Sequence, residues 1–406
     1  MDAASLSELR TWLTEAGLAG ESEIALLDGF CRRALKAGLP LARAAVIIDT
    51  LHPVLEGRAF LWRREAGQTQ IELVEYGPTS EGEAAENWRR SVFFHLLQTG
   101  GSLFRVRFHT GETADFSNFA RMRDEGMTDV TAVITRFPRS GTIGEMDALY
   151  SYWATDCPHG FDDAQVEAIA GLIAMLALAV KCASLARIAG TLVETYLGRD
   201  AGRRVLNGLI RRGVAERISA VLWYSDLREF TRISDQSPPE QIIPLLDDYA
   251  EAVISAIYDN GGDVLKLIGD GTLAIFAAAP AEVACRSAIA AHGALQEQVA
   301  QLNQHRARDG LPTTDVYVGL HIGEVFYGNI GSDQRLDFTV VGPAVNEVAR
   351  IAAMCRSVER NVLLSQAFAD ATADAERGPL VSVGRYALRG VERPQELFTL
   401  DPFRTE

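Results

Sequence analysis

Apolar residues recur at helical spacing through the start of the chain. Leu6, Leu9, Trp12 and Leu13 mark one helix and the stretch from Ser22 to Lys36 a second, so residues 4–38 read as two helices stopped by Leu39-Pro40. Three β-branched and apolar runs follow, at 42–51, 58–64 and 70–75, punctuated by His52-Pro53 and Glu56-Gly57, and these read as strands. A helix over 84–97, a strand over 103–109, a helix over 116–125 and strands over 129–137 and 148–155 come next. Gly160-Phe161-Asp162-Asp163 then supplies an N-cap for a long helix running through Val180. The longest apolar run, Ala168 to Val180, lies between Glu167 and Lys181 and is too short to span a bilayer, so it reads as a buried helix or a helix at a dimer seam.

Beyond it, Leu185, Ile188, Leu192 and Leu197 continue a drifting apolar face until Gly198-Arg-Asp-Ala-Gly202 breaks the helix. A short helix over 203–210 ends at Arg211-Arg-Gly213. An apolar stripe that leaves a domain needs a partner surface, so this segment is expected to be a helical transducer that packs against its copy in a dimer. From Ile218 an apolar strand leads to Asp226. Pro238-Pro239 opens a helix that ends at Asn260-Gly261-Gly262, and two strands follow around Gly269-Asp270-Gly271 as a hairpin. A helix over 281–303, strands over 315–321, 325–330 and 338–341, a helix from Pro343, and strands over 381–388 and 396–400 complete the pattern. The fold class is α+β, in more than one domain.

Composition adds bounds. The chain has 406 residues and 48% hydrophobic content, enough for sizeable cores. Its net charge of −15 argues against coating nucleic acid or an anionic membrane. The N-terminus lacks the layout of a signal peptide. The five cysteines are scattered without a Cys-x-x-Cys pair, which fits a reducing cytoplasm better than a disulfide or zinc framework. A soluble cytoplasmic protein without a membrane or nucleic-acid partner is the expectation. His52, His95, His109 and His159 have no metal-type spacing.

The candidate chemistry lies between Ile218 and Phe276. Asp226 ends a strand and Asp270 tips a hairpin, so two carboxylates are fixed where a two-metal site needs them. Asn346 and Arg350, four apart on a helix, share one face.

The last strand of the first half and the turn from Gly160 to Ala174 resemble a GAF domain over roughly residues 20–183. That resemblance implies a sensor with an unidentified small-molecule ligand. Four motifs resemble the catalytic domain of class III nucleotidyl cyclases: Ser225-Asp226-Leu-Arg-Glu-Phe-Thr231, Lys266-Leu-Ile-Gly-Asp270-Gly, His321-Ile-Gly-Glu-Val, and Asp337-Phe-Thr-Val-Val-Gly-Pro-Ala-Val-Asn346-Glu-Val-Ala-Arg350. The division implied is a GAF-like α/β sensory domain at 1–183, a helical transducer at 184–216 and a cyclase domain with a mostly antiparallel sheet at 217–406. The resemblance implies ATP as substrate and two Mg2+ or Mn2+ held by Asp226, Asp270 and the Leu227 carbonyl. It assigns Asn346 to the ribose, Arg350 to the transition state, Lys266 and Thr339 to the base, and Arg389 to the triphosphate, with Arg335 a looser phosphate candidate. It further implies a head-to-tail homodimer in which one chain supplies the aspartates and the other the remaining groups. The Thr at position 339 is similar to that of bicarbonate-responsive cyclases. Glu229 departs from the family's glycine, which is expected to affect activity or metal preference.

Overall fold

The computed structural model describes residues 2–65, 68–138, 143–373, 379–391 and 394–401. The chain forms two compact units, Met1–Leu192 and Val193–Glu406.

In the first unit, helices α1 (Ala3–Leu18) and α2 (Glu23–Lys36) precede strands β1 (Arg43–Asp49), β2 (Gly57–Glu65) and β3 (Gln68–Tyr76). Helices α3 (Gly82–Arg89) and α4 (Val92–Thr99), strand β4 (Leu103–Arg107), helix α5 (Phe119–Asp124), strands β5 (Asp129–Arg136) and β6 (Ala148–Thr155), and helix α6 (Asp163–Leu197) follow. The strands make one antiparallel sheet in the order β3-β2-β1-β6-β5-β4. Alternation along the strands feeds two cores. Phe60, Trp62, Leu149 and Trp153 pack with α1, α2 and α6, whereas Val130, Ala132 and Tyr150 pack with α3 to α5.

Where elements differ from the sequence reading, a cap or a close contact explains most of the differences. The single helix expected over 84–97 is two, because the Ser91 hydroxyl accepts the Phe94 amide at 3.1 Å and starts α4. The Asp162 N-cap is as expected, its carboxylate accepting the Gln165 amide at 2.7 Å. Helix α6 runs 35 residues, well past Val180. Among the described residues it is the one helix long and apolar enough to cross a membrane by length and composition. Its Ile169, Leu172, Ile173, Leu176 and Val180 are buried in the first unit. Ser184 and Ile188 are buried in the first unit, and Ala201 is buried in the second.

In the second unit, helix α7 (Arg199–Leu206) precedes strand β7 (Ala215–Leu227), α8 (Phe230–Gln236), α9 (Pro239–Asp259), β8 (Asp263–Ile268), β9 (Gly271–Phe276) and α10 (Ala281–Arg308). Strands β10 (Val316–Ser332) and β11 (Arg335–Val341), α11 (Pro343–Val358), β12 (Val362–Ser365), α12 (Gln366–Ala371), β13 (Leu380–Tyr386) and β14 (Gln395–Leu400) complete it. The break before α7 falls at Gly198 alone. Gly198 has φ +89°, and a Cβ there would lie 2.3 Å from the Val264 carbonyl, while Gly202 stays helical. The strands expected at 315–321 and 325–330 are one continuous β10. Strand β12 and helices α8 and α12 were not legible from periodicity, being only four to seven residues long.

The sheet runs β13-β14-β12-β10-β7-β9-β8, with β11 paired to β10, and among the described residues only β10 and β12 pair in parallel. Trp223, Val318 and Leu320 face α9, α10 and α12. Ala220, Leu222 and Leu273 face the side holding Ala201 of α7 and Ala344 and Val348 of α11. Helix α11 lies close on β10 because glycines line its seat. A Cβ at Gly319 would stand 2.7 Å from the Ala352 nitrogen and the Val348 carbonyl oxygen, and one at Gly323 would stand 2.7 Å from the Ala344 Cβ. Those Gly319 neighbours are backbone and cannot swing away. Gly319→Ala should therefore destabilise the second unit by about 1–3 kcal/mol, as overpacking does. Urea unfolding of the variant checks this, and an unchanged midpoint would contradict the tight seat.

Candidate active site

Strand β7 and the β8–β9 hairpin bring two carboxylates together. Ser225 pairs with Thr272 across β7 and β9, so the residues just beyond them, Asp226 and Asp270, meet at one edge of the strands. Gly271 permits the approach, since a Cβ there would lie 2.9 Å from the Ser225 carbonyl. The Leu227 amide donates to Asp270 Oδ2 at 3.3 Å. Leu227 thus meets the pair through its N–H, while its carbonyl was the atom expected to take part.

Desolvation first, and then the hydrogen bond and charge of Asp270, push the Asp226 carboxyl up to about 7. Two anionic carboxylates fixed side by side repel, and a cation beside them relieves that repulsion. The donor set is oxygen only, which suits hard divalent ions. Among the described residues no group of three or more His, Cys, Asp or Glu side chains gathers to hold a metal.

A second cluster carries Lys266. Opposite β9, Leu265 is an extra residue in β8, and this bulge re-aims Lys266. Its ammonium pairs with the Asp337 carboxylate on β11. Thr339, two residues on and half-buried, shares the Asp337 side of the strand, while Phe338 and Val340 face the core. Sequence reasoning missed Asp337, although the period of two along the quoted Asp337-Phe-Thr339 motif placed it beside Thr339.

The third cluster is on α11. Arg350 is half-buried, and its guanidinium lies against Gly390, where a Cβ would be 3.4 Å from both terminal nitrogens. Gly390 follows Arg389, so the Arg350 guanidinium lies beside the backbone next to Arg389. Asn346 is exposed one turn earlier on the helix. Arg335 is exposed at the start of β11. Among the described residues no hydrogen bond or ion pair joins the aspartate pair to Lys266, Arg350 or Arg389.

Glu229 has φ +54°, a left-handed conformation that favours glycine. Its carboxylate accepts from Arg232 Nε at 2.8 Å and sits at the start of α8. The sequence departure at this position is thus real backbone strain, held by a local ion pair.

Residues 214–401 match the adenylate and guanylate cyclase catalytic domain. They are a class III nucleotidyl cyclase domain. An adenylate cyclase of Anabaena cylindrica is 31% identical over 157 residues, covering 39% of this chain and 31% of that protein. Adenylate cyclase 1 of Rhizobium meliloti is 27% identical over 173 residues, covering 39% of this chain and 25% of that protein. The chain spans about a third of the length of the first of these curated relatives. Among solved structures, an adenylyl cyclase from P. aeruginosa matches with 23% identity and a TM-score of 0.44, over 47% of this chain and 97% of that one. A guanylyl cyclase, Cya2, matches with 27% identity and a TM-score of 0.41, over 47% and 97%.

The carboxylate pair of the cyclase domain yields a pH prediction. The Asp226 pKa is raised in the fold above its unfolded value of about 3.9. Its stabilising contribution is thus whole below about pH 4 and lost as pH rises through about 7. Asp226→Asn should melt higher than wild type at pH 8 in chelator, with the gap closing toward pH 4. Coincident melting curves at pH 8 would contradict the repelling pair.

Proposed function

We propose that the chain is an adenylate cyclase that converts ATP into 3′,5′-cyclic AMP and pyrophosphate at the interface of a homodimer. The observation that carries this reading is the Asp226–Asp270 pair, set by β7 and the β8–β9 hairpin inside a cyclase domain. These two side chains, with the Leu227 carbonyl, would hold two Mg2+ or Mn2+. When bound, such ions acidify the ribose 3′ hydroxyl and neutralise triphosphate charge.

The chain's own residues do the rest. Arg350 supplies a fixed cation for charge that builds on the α-phosphate. Its guanidinium lies beside the backbone next to Arg389, which binds the triphosphate, so two guanidinium groups would serve one polyanion. Asn346, on the same helix face, orients the ribose. Lys266 donates to the purine ring and Thr339 contacts its edge. A threonine hydroxyl both donates and accepts, so ATP is favoured over GTP less sharply than by a carboxylate at that position.

The dimer reading is supported by exposed apolar residues on the strands that carry Lys266 and Thr339 and on β10 beside them: Leu267 is 54% exposed, Phe326 55% and Val341 47%. The first unit is read as a GAF-like regulatory domain. What supports that reading is an α+β unit in which β6 leads through the Gly160 turn into the long helix α6, the stretch that carries the resemblance. A cytoplasmic setting is inferred from the five cysteines, none of which is in a disulfide among the described residues and three of which are buried.

Purified protein supplied with ATP or GTP, and with Mg2+ or Mn2+, tests the proposal. Cyclic AMP that falls to background in Asp270→Ala is the expected result. Cyclic GMP as the main product would reassign the Lys266–Thr339 pocket to guanine. No product from either nucleotide would reduce the domain to a nucleotide-binding regulatory module.

A further inference from the structure

Asp337 has no role in the reading above, yet it pairs with Lys266, a residue assigned there to the purine. The bulge at Leu265 re-aims Lys266, whose ammonium donates to Asp337 Oδ2. On β11, Phe338 is buried and packs edge-on against Tyr327, with ring centroids 4.9 Å apart, which fixes the strand at that point. Its neighbours Asp337 and Thr339 share the opposite face. Among the described residues nothing donates to Asp337 Oδ1. The Lys266 and Asp337 side chains are 45% and 42% exposed, so a nucleotide can reach both.

An ion pair this open to water contributes little to stability. What it does is fix polarity. A lysine is a flexible point charge with three donors and no acceptor, whereas a carboxylate only accepts. Side by side, tied to each other, they present a donor and an acceptor in a set order. Adenine offers the complement, ring nitrogens that accept beside an amino group on carbon 6 that donates. Guanine carries an oxygen on that carbon, and a carboxylate repels it. The Thr339 hydroxyl turns to suit either purine, and Asp337 cannot. Guanine fits the pair only when shifted so that its O6 meets Lys266 and its N1–H meets Asp337, and the test below separates that arrangement.

We infer that Asp337 is a specificity-determining residue: one carboxylate oxygen holds the Lys266 ammonium in place and the other accepts from the 6-amino group of adenine. The inference rests on the proposed reading of Lys266 and Thr339 as the base pocket. It assigns the sharper part of the choice between purines to a carboxylate two residues before the threonine.

The test uses the full chain and compares kcat/KM for ATP, for GTP and for purine riboside triphosphate, which is ATP without the 6-amino group. Wild type should prefer ATP over that analogue by about 10- to 100-fold, the worth of a hydrogen bond to a charged group. Asp337→Ala should use the two almost equally. Asp337→Asn, whose amide both donates and accepts, should narrow the preference for ATP over GTP by about tenfold or more. A preference for ATP over the analogue that persists in Asp337→Ala overturns the inference alone. So does a loss shared equally by all three nucleotides, which marks a structural role. A wild type that prefers GTP, or that forms no cyclic nucleotide, overturns the reading of the pocket and the inference with it.

Discussion

Two carboxylates that repel each other are held side by side at the end of β7, and much of the second unit serves to hold them. At a surface-like dielectric, two unit charges 4 Å apart oppose each other by about 4 kcal/mol. Backbone pairing resists that force. Strand β7 lies between β10 and β9, so Asp226 extends from a strand paired on both sides. Asp270 sits on a turn pressed against Ser225 through Gly271, and the Leu227 amide donates to it. Burial first, and then the hydrogen bond and charge of Asp270, raise the Asp226 pKa. An arrangement that a protein would otherwise avoid becomes useful when cations bind there.

The groups assigned to the nucleotide are built by a different device. Lys266 depends on a bulge in β8 and on Asp337. Arg350 and Asn346 depend on a helix that only glycine allows so near to β10. These groups and the aspartates share one unit, yet among the described residues no hydrogen bond or ion pair joins the aspartates to Lys266, Arg350 or Arg389. The site proposed to be shared between two copies would join the two groups across an interface, where the exposed Leu267, Phe326 and Val341 would supply apolar surface.

Much of this was legible in the sequence. The β8–β9 hairpin announced itself through Gly269-Asp270-Gly271, and the Asn346–Arg350 face through helical spacing. Strand β6 and the N-cap of α6 fell where alternation and Asp162 placed them. What periodicity could not reach was set by tertiary contact. The bulge at Leu265, the seat at Gly319 and the pairing of Lys266 with Asp337 arise between distant segments. Likewise, the apolar stripe beyond Val180 does not by itself say where one unit ends, and the helix carries it to Leu197. Glu229 was visible only as an odd residue, and its left-handed backbone gives that oddity a physical meaning.

Complementation between two inactive chains tests the composite site most directly. Asp270→Ala and Arg350→Ala proteins, each inactive alone, are mixed and allowed to exchange subunits. If one chain supplies the aspartates and the other supplies Arg350, half of the sites in each heterodimer are intact and cyclic nucleotide formation returns. If both groups of residues act within one chain, every site in the mixture lacks a required group. Activity would then stay at background, which would contradict the account.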